Sequence, residues 1–115
     1  MAKRIFIISA VRHPSTAYRK NLEKYVVALE RVGNVVHLPH RDTDQTATSL
    51  EICTANMNAI KDSDEVHIFY SSTSQGTLID MGVAFGLGKT IKVIETEPLT
   101  KSKSFANLLN EWAKR

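Results

Sequence analysis

The sequence predicts a three-layer α/β domain with a parallel sheet of about four strands, of the flavodoxin-like or Rossmann-like type. Short apolar runs rich in β-branched residues alternate four times with segments of helical periodicity. Connections of this length between strands imply right-handed βαβ units and hence a parallel sheet. The 115 residues suffice for a single domain over 1–115 with its own core. We expect the strand order 2-1-3-4.

The first half of the chain begins with a predicted strand over residues 4–11, because RIFIISAV is apolar on both faces, as central parallel strands are. Helical spacing of apolar residues predicts a helix over 16–32. Gly33 is expected to close it. A second strand is predicted over 35–38, and residues 39–46 are expected to form a polar loop.

Thr48 and Glu51 have the spacing of a capping box, which predicts that the second helix begins there. Its inward face is expected to carry four apolar residues: Ile52, Cys53, Met57 and Ile60. Asn56 shares this face, so its amide needs hydrogen-bond partners if it is buried. Either it satisfies the backbone of a neighbouring loop or it directs a polar group into a ligand crevice.

The third strand is predicted over residues 66–70 and leads through a loop of small hydroxyl residues into a helix that ends near residue 87. Gly88 has the place of a C-terminal cap. A fourth strand is predicted over 90–95, and a last helix follows Pro98. Four side chains are expected on one face of that helix: Phe105, Leu108, Leu109 and Trp112.

The end of the third strand is where we expect a ligand, because ligands bind outside the carboxyl ends of strands in open parallel sheets. If strands one and three are neighbours, loops 9–16 and 70–77 share one crevice. Asp80 is expected in the first turn of the following helix. There the helix dipole would keep its carboxylate ionised, as a nucleophile requires. A purely stabilising acidic residue would occupy the same position.

Composition excludes several classes of function. The net charge is only +3, and the sequence has no basic stripe with interleaved aromatic residues. A nucleic-acid partner is therefore not expected. No apolar run is long enough to cross a membrane, and no signal peptide is evident. The lone cysteine, Cys53, lies on an apolar helix face with no activating base, so we expect it to pack against the core and not to act as a nucleophile. A single cysteine suits the cytoplasm.

Other motifs have ordinary explanations. Residues 86–90 (GLGKT) resemble a phosphate loop, but Val83 replaces the required glycine, and the segment closes a helix instead of opening one. His37, His40 and Asp42 lack a thiolate or a third well-spaced ligand for a zinc site. The loops also lack the paired aromatic residues that sandwich a flavin. We expect neither a metal nor a cofactor.

Two further positions concern packing. His67 lies in the middle of a predicted strand and is expected to be a core histidine whose hydrogen bonds are satisfied. Gly82 and Gly86 lie four residues apart on one helical face and are expected to allow close packing of the helix on the sheet.

Three stretches together resemble the nucleoside 2-deoxyribosyltransferase family and its relatives, the deoxynucleoside monophosphate N-glycosidases. They are Ser9-Ala-Val-Arg12, residues 56–60 followed by 63–66, and, most specifically, SQGTLIDMGVAFGLGK over 74–89. The resemblance covers about three-quarters of the chain. It implies a small parallel α/β domain, in agreement with the fold predicted above.

The resemblance also implies a site. Asp80 matches the glutamate that attacks C1′ of the sugar, although aspartate is one methylene shorter. Asn56 stands where the family has an aspartate near the nucleophile, and an amide can orient a hydroxyl but cannot take its proton. The catalytic residues implied are therefore Asp80 and Asn56.

The resemblance assigns four residues to a cradle for the sugar and its phosphate. Arg12 and Ser74 match positions that the monophosphate-preferring branch uses around the 5′-phosphate, and Ser9 and Gly76 complete the cradle. Arg12 could bind a phosphate bidentately.

The function implied is cleavage or transfer at the N-glycosidic bond of a (deoxy)nucleoside or nucleoside monophosphate. The alternative is a non-catalytic nucleotide-binding or regulatory module, which both departures from the family pattern would favour. A flavodoxin-like signalling or electron-transfer domain fits less well. The expected partners are a small-molecule nucleoside or nucleotide and, since relatives often complete their sites with a second subunit, another copy of the chain.

Overall fold

A computed structural model of the protein describes residues 2–11 and 14–115. Its elements in chain order are β1 (Arg4–Ile8), α1 (Thr16–Arg31), β2 (Val35–His37), α2 (Pro39–Asp42), α3 (Ser49–Asp62), β3 (Glu65–Phe69), α4 (Gln75–Gly86), β4 (Ile91–Glu95) and α5 (Phe105–Ala113). The strands form one parallel sheet in the order β2-β1-β3-β4. The predicted fold class and strand order are confirmed.

The sheet separates two apolar clusters, which makes the domain three-layered. Alternate residues of a strand point to opposite faces. Ile5 and Ile7 of β1 therefore pack with α1, whose buried residues are Leu22 and Val26. Phe6 and Ile8 face the other cluster, to which α3, α4 and α5 all contribute side chains. Three helices thus cover one face and α1 covers the other.

The carboxyl ends of β1 and β3 lie side by side, because Ile8 pairs with Ile68 in the parallel register. Tyr18 of α1 ties these two ends together. Its Oη accepts a hydrogen bond from the Ala10 N–H (2.9 Å) and donates one to the Phe69 carbonyl (2.7 Å). Burial raises the pKa of Tyr18, so the phenol stays protonated and can serve both partners.

The predicted polar loop 39–46 is wrong at its start, where the short helix α2 forms instead. Pro39 occupies a first-turn position, where its fixed φ and missing N–H suit a helix. The Asp42 carboxylate accepts from the Leu38 N–H at 2.8 Å. Arg41 anchors the turn by donating to the Val36 carbonyl (2.9 Å) and to Glu30.

The helix caps follow the predictions more closely. Gly33 and Gly88, just beyond the ends of α1 and α4, have φ of 95° and 66°. Only glycine adopts such angles without strain, so both act as the predicted C-terminal caps. The capping box of Thr48 and Glu51 is confirmed at the start of α3.

The inward face of α3 differs from the prediction. Asn56 and Ile60 are buried, whereas Cys53 and Met57 are exposed. The expected packing role of Cys53 is therefore wrong. The Asn56 amide can be buried because it has a hydrogen-bond partner inside the protein. Helical periodicity alone had predicted that its apolar neighbours would be buried with it.

The predicted packing roles of Gly82, Gly86 and Phe105 are also wrong. Both glycines lie on the exposed side of α4, and a Cβ added to either meets no atom within 4 Å. Phe105, the first residue of α5, is 55% exposed, and the buried face of that helix starts one residue later, at Ala106.

His67 is a satisfied core histidine, as predicted. Its ring accepts or donates hydrogen bonds at both nitrogens, to the Tyr25 hydroxyl (2.7 Å) and the Glu65 carboxylate (2.9 Å). Burial lowers the pKa of His67. In the part of the chain that the structure describes, no helix has the length and apolar character needed to cross a membrane.

The tie made by Tyr18 predicts a specific loss in Tyr18→Phe. Removing the hydroxyl leaves the Ala10 N–H and the Phe69 carbonyl without their shared partner, so the free energy of unfolding should fall by about 1–3 kcal/mol. Denaturant titration measures it. Tyr70→Phe is the matched control, because Tyr70 is buried and its hydroxyl makes no hydrogen bond within residues 2–11 and 14–115. Equal losses in the two variants would contradict the tie.

Candidate active site

A cavity of about 200 Å³ lies between the ends of β1 and β3. Its lining combines the two loops that follow these strands: Ala10, Pro14, Ser15, Tyr18, Ser71, Thr73 and Ser74. The prediction that loops 9–16 and 70–77 share one crevice is confirmed. A larger cavity of about 310 Å³, bounded by β2, the start of β1 and the end of α3, contains none of the predicted site residues.

Two helices begin at the crevice. Ser15 caps α1 by accepting from the Tyr18 N–H (3.1 Å), and Ser74 caps α4 by accepting from the Thr77 N–H (3.2 Å). First-turn N–H groups have no partner within their own helix and carry the positive end of its dipole. Gly76, the second residue of α4, contributes one of them at an exposed position. The crevice is therefore suited to an anionic group.

Asp80 is buried, with 8% of its surface exposed, on the inward face of α4. The sequence predicted that Asp80 lies in the first turn of this helix. That prediction is wrong, because α4 begins at Gln75 and Asp80 is its sixth residue. The helix dipole does not hold it ionised either. Burial raises the pKa of Asp80 from 3.8 to about 7. The carboxyl is thus poised to change charge near neutral pH.

Two buried hydroxyls have no hydrogen-bond partner in the described ranges: those of Ser9 and Thr77. Ser9 follows the end of β1, where the sequence predicted a substrate-binding residue. Thr77 lies one turn before Asp80 on the same buried face of α4. Buried hydroxyls are rarely left unpaired, so both indicate a place where water or a ligand supplies the missing partner.

Asn56 is buried to 7% exposure, and its Oδ1 accepts a hydrogen bond from Thr43 Oγ1 at 2.8 Å. It lies one turn before Ile60, and Asp80 lies one turn before Ala84. Ile60 and Ala84 share one core cluster. α3 and α4 are in contact with each other, and both run back from the carboxyl end of the parallel sheet.

Of the six predicted site residues, Ser74 lines the cavity, and Ser9 follows the end of β1. Gly76 lies in the first turn of α4, and Asn56 and Asp80 are buried on α3 and α4. Arg12, the sixth, lies outside the described residues. Sequence reasoning missed Tyr18, Thr43 and Thr77. Only Thr77 had a signal in the sequence, namely a hydroxyl one helical turn from the candidate nucleophile.

His37 and Asp42, two of the three residues weighed as zinc ligands, contact other groups. His37 stacks on Phe6, with ring centroids 5.2 Å apart, and its Nε2 lies 2.9 Å from Thr43 Oγ1. Asp42 binds Arg41 and caps α2. Across residues 2–11 and 14–115, no three histidine, cysteine or acidic side chains are grouped to hold a metal ion.

The raised pKa of Asp80 predicts a pH-dependent gain of stability in Asp80→Asn. The folded state holds this proton up to about pH 7, whereas the unfolded chain releases it near 3.8. The wild-type protein therefore loses stability as pH rises between these values. Asp80→Asn removes the cost and should exceed the wild type by up to about 4 kcal/mol above pH 7.

Denaturant titrations at pH 4 and pH 8 measure this effect, and the advantage of the variant should shrink at the lower pH. Asp62→Asn is the control, since Asp62 is an exposed aspartate on α3. An Asp80→Asn advantage that is the same at both pH values would contradict the assignment of the charge penalty.

Comparison with known proteins identifies the family of this chain. The sequence pattern of the family described as nucleoside 2-deoxyribosyltransferase matches residues 9–111. No curated protein sequence gave a match. Among solved structures, the fold is similar to that of a CMP N-glycosidase from Clostridium botulinum, with a TM-score of 0.64 and 24% identity over 94% of this chain and 81% of the other.

Two 2-deoxyribosyltransferases have similar structures. The enzyme from Bacillus psychrosaccharolyticus has a TM-score of 0.67 and 15% identity over 93% of this chain and 90% of the other. The enzyme from Leishmania mexicana has a TM-score of 0.53 and 27% identity over 83% of this chain and 65% of the other. The predicted chemistry, cleavage or transfer at an N-glycosidic bond, agrees with these relatives. By its match over residues 9–111, this chain belongs to the nucleoside 2-deoxyribosyltransferase family.

Proposed function

We propose that this protein cleaves or transfers the N-glycosidic bond of a (deoxy)nucleoside 5′-monophosphate, with Asp80 as the nucleophile. The observation that carries the proposal is the buried Asp80 carboxyl, whose pKa burial raises to about 7 and which lies one helical turn from the unpaired hydroxyl of Thr77, in a protein of this family. Such an environment tunes a carboxylate for chemistry near neutral pH.

The reaction proceeds in two displacements. An ionised oxygen of Asp80 attacks C1′, the bond from C1′ to the base nitrogen breaks with its electron pair, and the base leaves after taking a proton. The sugar is then held as an ester on Asp80. Water or a second base attacks C1′ and regenerates the carboxylate, which retains the configuration. Water would make the protein a hydrolase and a second base would make it a transferase.

The crevice supports a monophosphate substrate over a bare nucleoside. The starts of α1 and α4 both direct N–H groups to it, and the hydroxyls of Ser71, Thr73 and Ser74 line it. Arg12, which lies outside the described residues, is proposed as the charged partner of the phosphate. Ser9, with its unpaired hydroxyl, and Gly76, with its first-turn N–H, complete the cradle. The Clostridium botulinum relative is named for a nucleoside monophosphate, CMP.

The second candidate is a nucleotide-binding module without catalysis. Asp80 is one methylene shorter than the family's glutamate, and a shift of about 1 Å in a reacting atom can abolish most of a rate. Asn56 also lacks the proton-accepting capacity of an aspartate. Saturable nucleotide binding that survives Asp80→Ala, without any release of base, would favour this candidate.

The assay for the proposal is chromatographic detection of free base after incubation with ribo- and deoxyribonucleosides and their 5′-monophosphates. The wild type should release base from a monophosphate, and Asp80→Asn should lose release by at least about 10³-fold, because the nucleophile is gone. Asp62→Asn, an exposed change of the same kind, should keep the activity. Release by Asp80→Asn at the wild-type rate would contradict the assigned nucleophile.

The pH dependence of base release provides an independent check. Because only the ionised carboxyl attacks, kcat/KM should rise with pH and level off above the folded pKa of about 7. Steady-state rates between pH 5 and 9 measure the profile. A kcat/KM that is flat from pH 5 to pH 7 would show that Asp80 is already ionised at pH 5.

We also propose that the protein is a homo-oligomer that associates through the outer side of α4. The only charged residue of this helix, Asp80, faces inward, so its exposed side is uncharged. Ile79 is 53% exposed there, next to the open positions Gly82 and Gly86. An exposed helix face that carries apolar residues and no charge is suited to being covered, and small residues allow a second helix to approach closely.

Light scattering after size-exclusion chromatography tests the association. The wild type should elute as a dimer or larger species, and Ile79→Lys should shift it to monomer because the buried lysine charge would have no partner. Val32→Lys, which alters an exposed valine at the end of α1, is the control and should leave the mass unchanged. A monomeric wild type would overturn this proposal.

We propose a cytoplasmic location as well. The support is chemical, since Cys53 is a free and exposed thiol, which persists most readily in a reducing compartment.

A further inference from the structure

A chain of hydrogen bonds runs from the edge strand to the candidate site. His37, the last residue of β2, has its Nε2 at 2.9 Å from Thr43 Oγ1. Thr43 Oγ1 in turn donates to Asn56 Oδ1 at 2.8 Å. The chain is held at both ends, because His37 stacks on Phe6 with an interplanar angle of 10° and Asn56 is part of α3.

The middle member of the chain is also fixed. Thr43 caps the end of α2, where its N–H donates to the Pro39 carbonyl at 3.0 Å. Arg41 in the same turn donates to the Val36 carbonyl and to Glu30. Thr43 is 8% exposed. Its hydroxyl is therefore a rigid, nearly dry link between the histidine and the amide.

The number of protons sets the direction of the chain. A threonine hydroxyl has one proton, and Thr43 gives it to Asn56. The Thr43 oxygen must then accept from His37, which requires a proton on Nε2. Burial lowers the pKa of His37, so the ring is neutral at neutral pH and its Nδ1 is the unprotonated nitrogen.

This direction determines what Asn56 offers to a ligand. Its Oδ1 is engaged by Thr43, so its NH2 group occupies the other side of the amide. That NH2 group has no partner among the described residues. The fully buried, unpaired side-chain atoms of the described residues are the hydroxyls of Ser9 and Thr77, and the Asn56 nitrogen is not one of them.

We propose that His37 and Thr43 are positioning residues, which hold the Asn56 amide so that it presents N–H donors, and no acceptor, to the ligand. The complementary ligand atom is an acceptor: a sugar oxygen, or a carbonyl oxygen or ring nitrogen of the base. This inference rests on the proposed function for its ligand, but the direction of the hydrogen-bond chain is a property of the protein alone.

The first test concerns the chain itself. In ¹⁵N-labelled protein, the side-chain nitrogen shifts of His37 should be those of a neutral ring protonated at Nε2. Thr43→Val should abolish this preference and move the side-chain amide signals of Asn56, whereas Thr43→Ser, which keeps the hydroxyl, should preserve both. A His37 ring protonated at Nδ1 in the wild type would reverse the chain and overturn the proposal.

The second test concerns the reaction. Thr43→Val should lower kcat for base release by about 10- to 100-fold, because an unheld amide misplaces its donors. Thr43→Ser should restore the rate. Thermal unfolding of both variants separates this loss from unfolding. A folded Thr43→Val protein with wild-type kcat would overturn the positioning role. If the wild type releases no base, the proposed function fails and the nitrogen shifts still decide the direction of the chain.

Discussion

The parallel pairing of β1 with β3 is the constraint on which the site depends. Their register places Ile8 beside Ile68, so both strands end at the same level and their loops must meet. Tyr18 then fixes the spacing of the two ends through one hydroxyl that serves both backbones. The crevice, the two helix starts that face it and the position of Ser9 all follow from this arrangement. The remaining elements supply the side chains that approach it.

The burial of Asp80 lowers the stability of the fold and at the same time prepares the carboxyl for reaction. Its inward position on α4 removes the carboxyl from water, so the ionised form is costly. The hydroxyls of Ser9 and Thr77 add buried polar groups that residues 2–11 and 14–115 do not satisfy. A core selected only for stability would have neither feature. Both are what a site requires if the ligand completes its hydrogen bonds and the carboxylate reacts.

Much of the fold could be predicted from the spacing of apolar residues and from the capping residues at helix ends. The alternation of strands and helices, the caps at Gly33 and Gly88 and the capping box of α3 are local features, and local sequence determines them. The strand order follows from general rules of βαβ connection. The short helix α2 was missed because its stability comes from Pro39 and the side chains of Arg41 and Asp42, not from an apolar stripe.

The candidate site was less predictable, because its properties depend on which side chains are buried and on their partners. The sequence placed Asp80 correctly on the helix that follows the third strand but gave it the wrong helical turn and the wrong ionisation. It placed Asn56 correctly on an inward face, but the neighbours that it placed on the same face are exposed. The hydrogen bond that Asn56 accepts from Thr43 is a tertiary contact between residues 13 positions apart, which helical spacing does not reveal. Spacing alone gives neither the desolvation of a carboxyl nor the direction of an amide.

The central claim is that the Asp80 carboxylate attacks the sugar. The most direct measurement is mass spectrometry of the protein quenched during turnover of a deoxynucleoside 5′-monophosphate, followed by peptide mapping. The account predicts a protein mass increased by one deoxyribose phosphate, with the added group on the peptide that contains Asp80. Base release at a normal rate with no adduct on that peptide, or with the adduct elsewhere, would contradict it.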